Sequence, residues 1–170
     1  MKDTRAESRR LRYEGFTVKM ALVDALPVLF FIGSILLLTG VFSQALFFTG
    51  ASLIVIGGLS KVIWKLLMGW KGRDVRLLNK LFVPLMVSGF LLMITGLIVN
   101  RTAISIKGML AAVTALPQVV FFVAGAAAMV TMIISSFTFK KDSAAHNWKA
   151  QIINTIAQAS FFIGLLLIFI

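Results

Sequence analysis

The sequence predicts an all-α integral membrane protein, a bundle of about five transmembrane helices with the N-terminus in the cytoplasm and the C-terminus outside. Three observations predict it. Of the 170 residues, 59% are hydrophobic and only 14% are charged, and the mean hydropathy is +0.99; a soluble domain of this length needs far more polar surface to cover its core. Uncharged stretches near or above about 18 residues recur along the chain, the length a helix needs to cross hydrocarbon. The basic residues, finally, are confined almost entirely to alternate connections between those stretches.

Residues 1–17 form a basic cytoplasmic segment. Glu7 with Arg10 and Arg10 with Glu14 stand at helical spacing, which fits either a helix running into the first span or a solvated tail. The apolar run that follows is too long for a signal-peptide core and lacks a small-residue cleavage pattern, so it is expected to remain as the first span. From there residues 18–170 form a single transmembrane domain. The first span covers 18–42 and ends in a tight Ser43-Gln44 turn; the second covers 45–68 and the third 81–99. The fourth covers 109–139, longer than one crossing needs, so it must tilt or protrude. The fifth covers 150–170.

Orientation follows from the lysines and arginines. With five spans, fifteen of the 17 fall on one side, and only Arg101 and Lys107 fall on the other. The positive-inside rule makes the crowded side cytoplasmic. The three tryptophans, Trp64, Trp70 and Trp148, and the lone Tyr13 sit at that same interface, where an amphipathic ring is anchored between headgroup and hydrocarbon. This places the chain in the plasma (cytoplasmic) membrane as a multi-pass protein. The formal net charge of +11 then speaks for anionic lipid headgroups rather than nucleic acid, because the basic residues flank apolar spans.

Small residues recur at heptad spacing: Gly33 and Gly40 in the first span, Gly50 and Gly57 in the second, Gly89 and Gly96 in the third, Ala157 and Gly164 in the fifth. Close backbone approach over small residues is a main source of helix association in lipid, and a seven-residue repeat keeps one face turned to a partner. The fourth span carries Ala124-Gly125-Ala126-Ala127-Ala128, small all round, which suits a central helix. Residues 21–27 (ALVDALP) echo 111–117 (AAVTALP), but the likeness does not extend into the following helices. Chance and a shared proline-entry pattern account for it better than an inverted repeat.

Asp24 is the only acid inside any span. A carboxylate there must face protein or water, be paired or be protonated. Lys61, near the same depth on the antiparallel second span, is the expected partner, with Lys65 one turn closer to water as the second candidate. The pair reads either as a proton- or cation-coupled site or as a structural pair near the interface, its lysine snorkelling to the headgroups. Pro27, one turn on, frees a backbone carbonyl near Asp24. Pro117 with Gln118 breaks the fourth span, and Pro84 reads as a harmless entry residue of the third. Gln151, Asn154 and Gln158 share one face of the fifth span, as interhelical glue or as the lining of a polar cavity. Gln151 lies near the interface, where an amide costs little.

No catalytic or cofactor motif is present, and there is no cysteine. The single histidine, His146, has only Asp142 nearby, too little for a metal site. Asn100-Arg101-Thr102 fits a glycosylation sequon on the outer side, a pattern short enough to arise by chance. No enzyme and no cofactor are therefore expected. The first functional expectation is a small transporter, channel subunit or ligand-binding membrane protein with a polar site near Asp24, drawing on Lys61, Asn154, Gln158 and Gln118. The second is a non-catalytic accessory protein whose basic cytoplasmic face holds a partner or anionic lipid. Either is expected to form a homo-oligomer or to join a membrane complex.

Overall fold

The computed structural model describes residues 17–42, 44–99, 105–138 and 144–170. The expectations for the tail with Tyr13, for Ser43, for the sequon at 100–102 and for Lys140, Lys141 and Asp142 lie outside the described residues. Those residues form six helices: α1 (Val18–Leu38), α2 (Ala45–Lys71), α3 (Arg76–Val99), α4 (Ile106–Thr114), α5 (Gln118–Thr138) and α6 (Ala144–Phe169). All but α4 are long and apolar enough to cross a membrane. Lipid offers no partner to a backbone N–H or C=O, so the apolar runs satisfy themselves as helices. Their hydroxyls do likewise, as Ser34 Oγ donates to the Phe30 carbonyl (2.9 Å) and Ser60 Oγ to that of Ile56 (2.8 Å).

The helix ends are set locally. Thr17 caps α1, its hydroxyl accepting from the Met20 N–H at 3.3 Å. Gly72 ends α2 in the left-handed region at φ 60, where glycine carries no Cβ penalty; the Gly72 N–H donates to Met68 and the Arg73 N–H to Leu67.

Three departures from the expected boundaries are the largest. The fourth span is not one helix: α4 stops at Thr114 and α5 begins at Gln118. Pro117 lacks an N–H and crowds the preceding carbonyls, so the chain cannot stay helical through 115–117. The third helix starts at Arg76, five residues earlier than its apolar run, so Pro84 lies inside it rather than at its entry. The fifth helix likewise begins at Ala144, six residues early. Basic and polar turns outside the hydrocarbon carry no hydropathy signal, yet Arg, Lys, Leu and Ala are good helix formers.

Among the described residues the five long helices stand in one row, α3–α2–α1–α6–α5, each approaching only its neighbours, with α4 against α5 and α6. The row does not close on itself, because α3 and α5 do not meet.

Glycines set the spacing. A Cβ on Gly50 would lie 2.5 Å from the Gly89 carbonyl oxygen, one on Gly89 2.6 Å from that of Gly50, and one on Gly96 2.9 Å from the Phe47 nitrogen. Gly57 rests on Leu85, so α2 and α3 touch backbone to backbone along the predicted heptad. Elsewhere the glycines are holes for rings: Gly33 receives Phe162, Gly164 receives Phe122 and Gly125 receives Phe161. Ala157 is fully buried. Gly40 corrects the heptad reading of α1: it lies in the turn beyond the helix, exposed, and a Cβ there would meet nothing within 4 Å. The alanine-rich helix is corrected too. It is α5, at the end of the row, where among residues 118–135 only Gly125 is buried and Ala124, Ala126 and Ala127 are exposed.

The ends of the row differ in charge. Lys19, Lys71, Arg73, Arg76, Lys80 and Lys149 are all exposed at the end that carries the α2–α3 loop, the basic end. The 21–27 and 111–117 segments have no equivalent role, since Pro27 is buried within a continuous α1 and Pro117 precedes α5.

Candidate functional site

Three helices bring polar side chains together near the basic end. Asp24 comes from α1, six residues past its start; Lys65 from α2, six before its end; Gln151 from the second turn of α6. Lys65 Nζ lies 3.1 Å from Asp24 Oδ2. The contact is Coulombic first: no aligned hydrogen bond reaches that oxygen. In the amide orientation that satisfies both its ends, Gln151 Nε2 donates to the Met20 carbonyl (3.0 Å) and Oε1 accepts from Lys65 Nζ (2.5 Å). Asp24, Lys65 and Gln151 are 8%, 1% and 3% exposed.

The partner of Asp24 is therefore Lys65, the second candidate, and not Lys61. The reason is rotation about α2. Lys65 follows Gly58 by seven residues, and Gly58 packs on Val28 of α1. Lys61 follows Gly57 by four, and Gly57 packs on α3. Lys61 accordingly turns away from Asp24 and sets its Nζ 4.4 Å from the centre of the Phe82 ring on α3. At the same end Gly69 leaves room for the start of α1; a Cβ there would fall 2.7 Å from the Val18 nitrogen. The α1–α2 crossing is thus tight just where the ion pair is buried.

The remaining predicted residues are not part of this cluster. Asn154 and Gln158 are half-buried on α6. Gln118 is at the opposite end, where its Nε2 donates to the Leu167 carbonyl (2.9 Å), one of the last acceptors of α6 that the helix itself cannot satisfy. Its Oε1 is buried without a partner among the described residues. Trp64 is buried rather than turned to lipid, and its Nε1 donates to Asp74 Oδ1 at 3.0 Å; Arg76 Nε lies 3.3 Å from the other oxygen of that carboxylate. Trp70 is 71% exposed, with Lys71 Nζ 5.3 Å from its ring. Trp148 is half-buried in the second turn of α6.

Gln151, expected as an inexpensive interfacial amide, is instead the third member of the cluster. Its i, i+3, i+7 relation to Asn154 and Gln158 marks a polar stripe, but only its depth, level with Asp24, singles it out.

A groove of about 450 Å³ runs between α1 and α2, lined by Ile32, Ile35, Phe48, Ala51 and Val55 among others. It is apolar and includes none of Asp24, Asn154 and Gln158. Among the described residues no group of three or more histidine and acidic side chains stands close enough to hold a metal ion. Comparison with known protein families, with curated proteins and with solved structures finds no match.

Proposed function

We propose that this chain is a non-catalytic membrane accessory subunit, held in the plasma membrane with its basic end in the cytoplasm, where that end binds anionic lipid or the acidic surface of a partner. The observation that carries the reading is the closure of Asp24. A carboxylate that couples ion movement must meet water and exchange partners; Asp24 is buried and held by Lys65, whose ammonium is held in turn by Gln151. The α1–α2 groove is apolar and does not reach it. The open row adds support, since among the described residues it leaves α3 and α5 each with a single long neighbour, as suits a homo-oligomer or a subunit of a larger complex.

The transporter or channel reading requires the opposite, a water-filled path to Asp24. Reconstitution of the full chain in liposomes separates the two. The accessory reading expects no proton or cation flux that Asp24→Asn alters. A flux abolished by that substitution overturns it.

A further inference from the structure

We propose that Lys61 and Phe82 form a site for the phosphodiester headgroup of an anionic phospholipid at the basic end of the α2–α3 pair. The proposal rests on the reading that this end serves lipid, and it says where and through which residue.

The argument is one of unbalanced charge. The membrane-spanning part of α2 carries two lysines one turn apart, Lys61 and Lys65, and the five spans hold a single acid at that depth, Asp24. Lys65 takes it. Asp74, the acid nearest to Lys61 along the chain, is occupied by Trp64 and Arg76. Among the described residues no carboxylate lies within ion-pair distance of Lys61. The Phe82 ring attracts the Lys61 ammonium and fixes its direction, but it does not neutralise it. A half-buried ammonium at this depth lowers its free energy by gaining an anion.

Geometry points to a lipid anion. Below Lys61 the two helices are pressed together, with a Gly57 Cβ position only 3.1 Å from Leu85 and 3.4 Å from the Phe82 carbonyl oxygen. The ammonium cannot slip between them and must emerge on the surface of the pair. Because α3 ends the row, that surface is open to the bilayer. Lys80, exposed near the start of α3, adds positive charge at the same end of the pair. An acidic peptide would meet Arg76 and Lys80 but would have to bring a carboxylate below the level of Trp64, one turn into the span, to reach Lys61. A phospholipid keeps its phosphate at the hydrocarbon boundary beside the helix pair, where the Lys61 side chain can reach up to it.

The test uses the full chain in nanodiscs of phosphatidylcholine with and without phosphatidylglycerol, reading bound phosphatidylglycerol by native mass spectrometry and the thermal midpoint. The wild-type chain is expected to retain phosphatidylglycerol and to melt higher with it. Lys61→Met should weaken retention about fivefold, the worth of one basic contact near the headgroups, and Lys61→Arg should restore it. Phe82→Leu, which leaves the charge in place, should lower retention in the same direction by less. The double change Lys71→Gln with Arg73→Gln, on the exposed loop, should leave the retained lipid in place. Retention unchanged in both Lys61→Met and Phe82→Leu overturns the site. So does a Lys61-dependent rise in midpoint given by inorganic phosphate in phosphatidylcholine alone, since that describes a soluble-anion site. If only the Lys71 and Arg73 changes abolish the lipid preference, the Lys61 site fails while the basic-end reading stands. If the wild-type chain shows no preference at all, the Lys61 site fails together with the lipid arm of the basic-end reading.

Discussion

Lys65 Nζ lies 3.1 Å from Asp24 Oδ2, and the two groups are buried together between α1 and α2, with Gln151 of α6 closing over the ammonium. One charge here is tolerable only because the other is present. Taking either partner away leaves an uncompensated ion out of water, whereas removing both leaves an apolar site of similar volume. Asp24→Leu and Lys65→Met are each expected to destabilise the chain by about 3–5 kcal/mol, and the two together to recover most of that loss. Reversible unfolding of the reconstituted protein measures the cycle. Additive losses in the double variant would show that the two groups do not act as a pair.

Gln151 should matter less, because it is itself neutral: it contributes one hydrogen bond to the Lys65 ammonium and one to a backbone carbonyl, and its loss leaves the ion pair in place. Gln151→Leu removes the acceptor for Lys65 and the donor to the Met20 carbonyl. The expected loss is about 1–3 kcal/mol, smaller than for either charged partner. Since Gln151 is the only member from α6, its loss should loosen that helix first, seen as faster amide exchange at the start of α6 than in the α1–α2 pair. Equal acceleration in all three helices would speak against this order.

The membrane fold was legible because its causes are long-range and crude: runs of apolar residues long enough to cross, and lysines and arginines heaped between alternate runs. What escaped was decided by one turn or by a missing backbone proton. Pro117, read as a break within one span, ends the helix altogether, although hydropathy alone carries it through to 139. Arg76 and Ala144 began helices in segments whose polarity resembles a loop. The partner of Asp24 hung on a rotation of about 40° around α2, the angle between positions 61 and 65, and only the glycine faces resolve it. Gly57 looks to α3 and Gly58 to α1, so Lys61 and Lys65 look the same two ways. Of the order of the row, only the pairing of α1 with α2 across their short turn was legible. Small-residue stripes say that a helix approaches something closely without saying which neighbour it is, and α5, the smallest-surfaced helix, lies at the edge.

The glycine contacts of α2 and α3 give a sharp contrast. Gly89→Val must push against the Gly50 carbonyl oxygen and the Ile54 side chain, both 2.6 Å from its Cβ position. Backbone cannot yield there without separating the helices, so a loss at or above about 1–3 kcal/mol is expected. Gly40→Ala meets nothing within 4 Å and should change stability by less than about 0.5 kcal/mol. Thermal midpoints of the two variants in one detergent provide the comparison. Similar effects at both sites would mean that α2 and α3 do not pack along Gly50 and Gly89.

The direction of the chain across the bilayer can be read by labelling, because the sequence has no cysteine to mask. Arg73 and Lys107 are both exposed, at opposite ends of the row. With fifteen lysines and arginines on one side and two on the other, the positive-inside bias puts residue 73 in the cytoplasm and residue 107 outside. In intact cells a membrane-impermeant maleimide should therefore modify Lys107→Cys directly and Arg73→Cys only after permeabilisation. Each substitution removes one positive charge, and the remaining asymmetry is far too large for either to invert the protein. The reverse pattern would place the basic end outside, and with it the Lys61 surface. Partial labelling at both positions in intact cells would mean that the chain inserts in two directions, which the charge asymmetry disfavours.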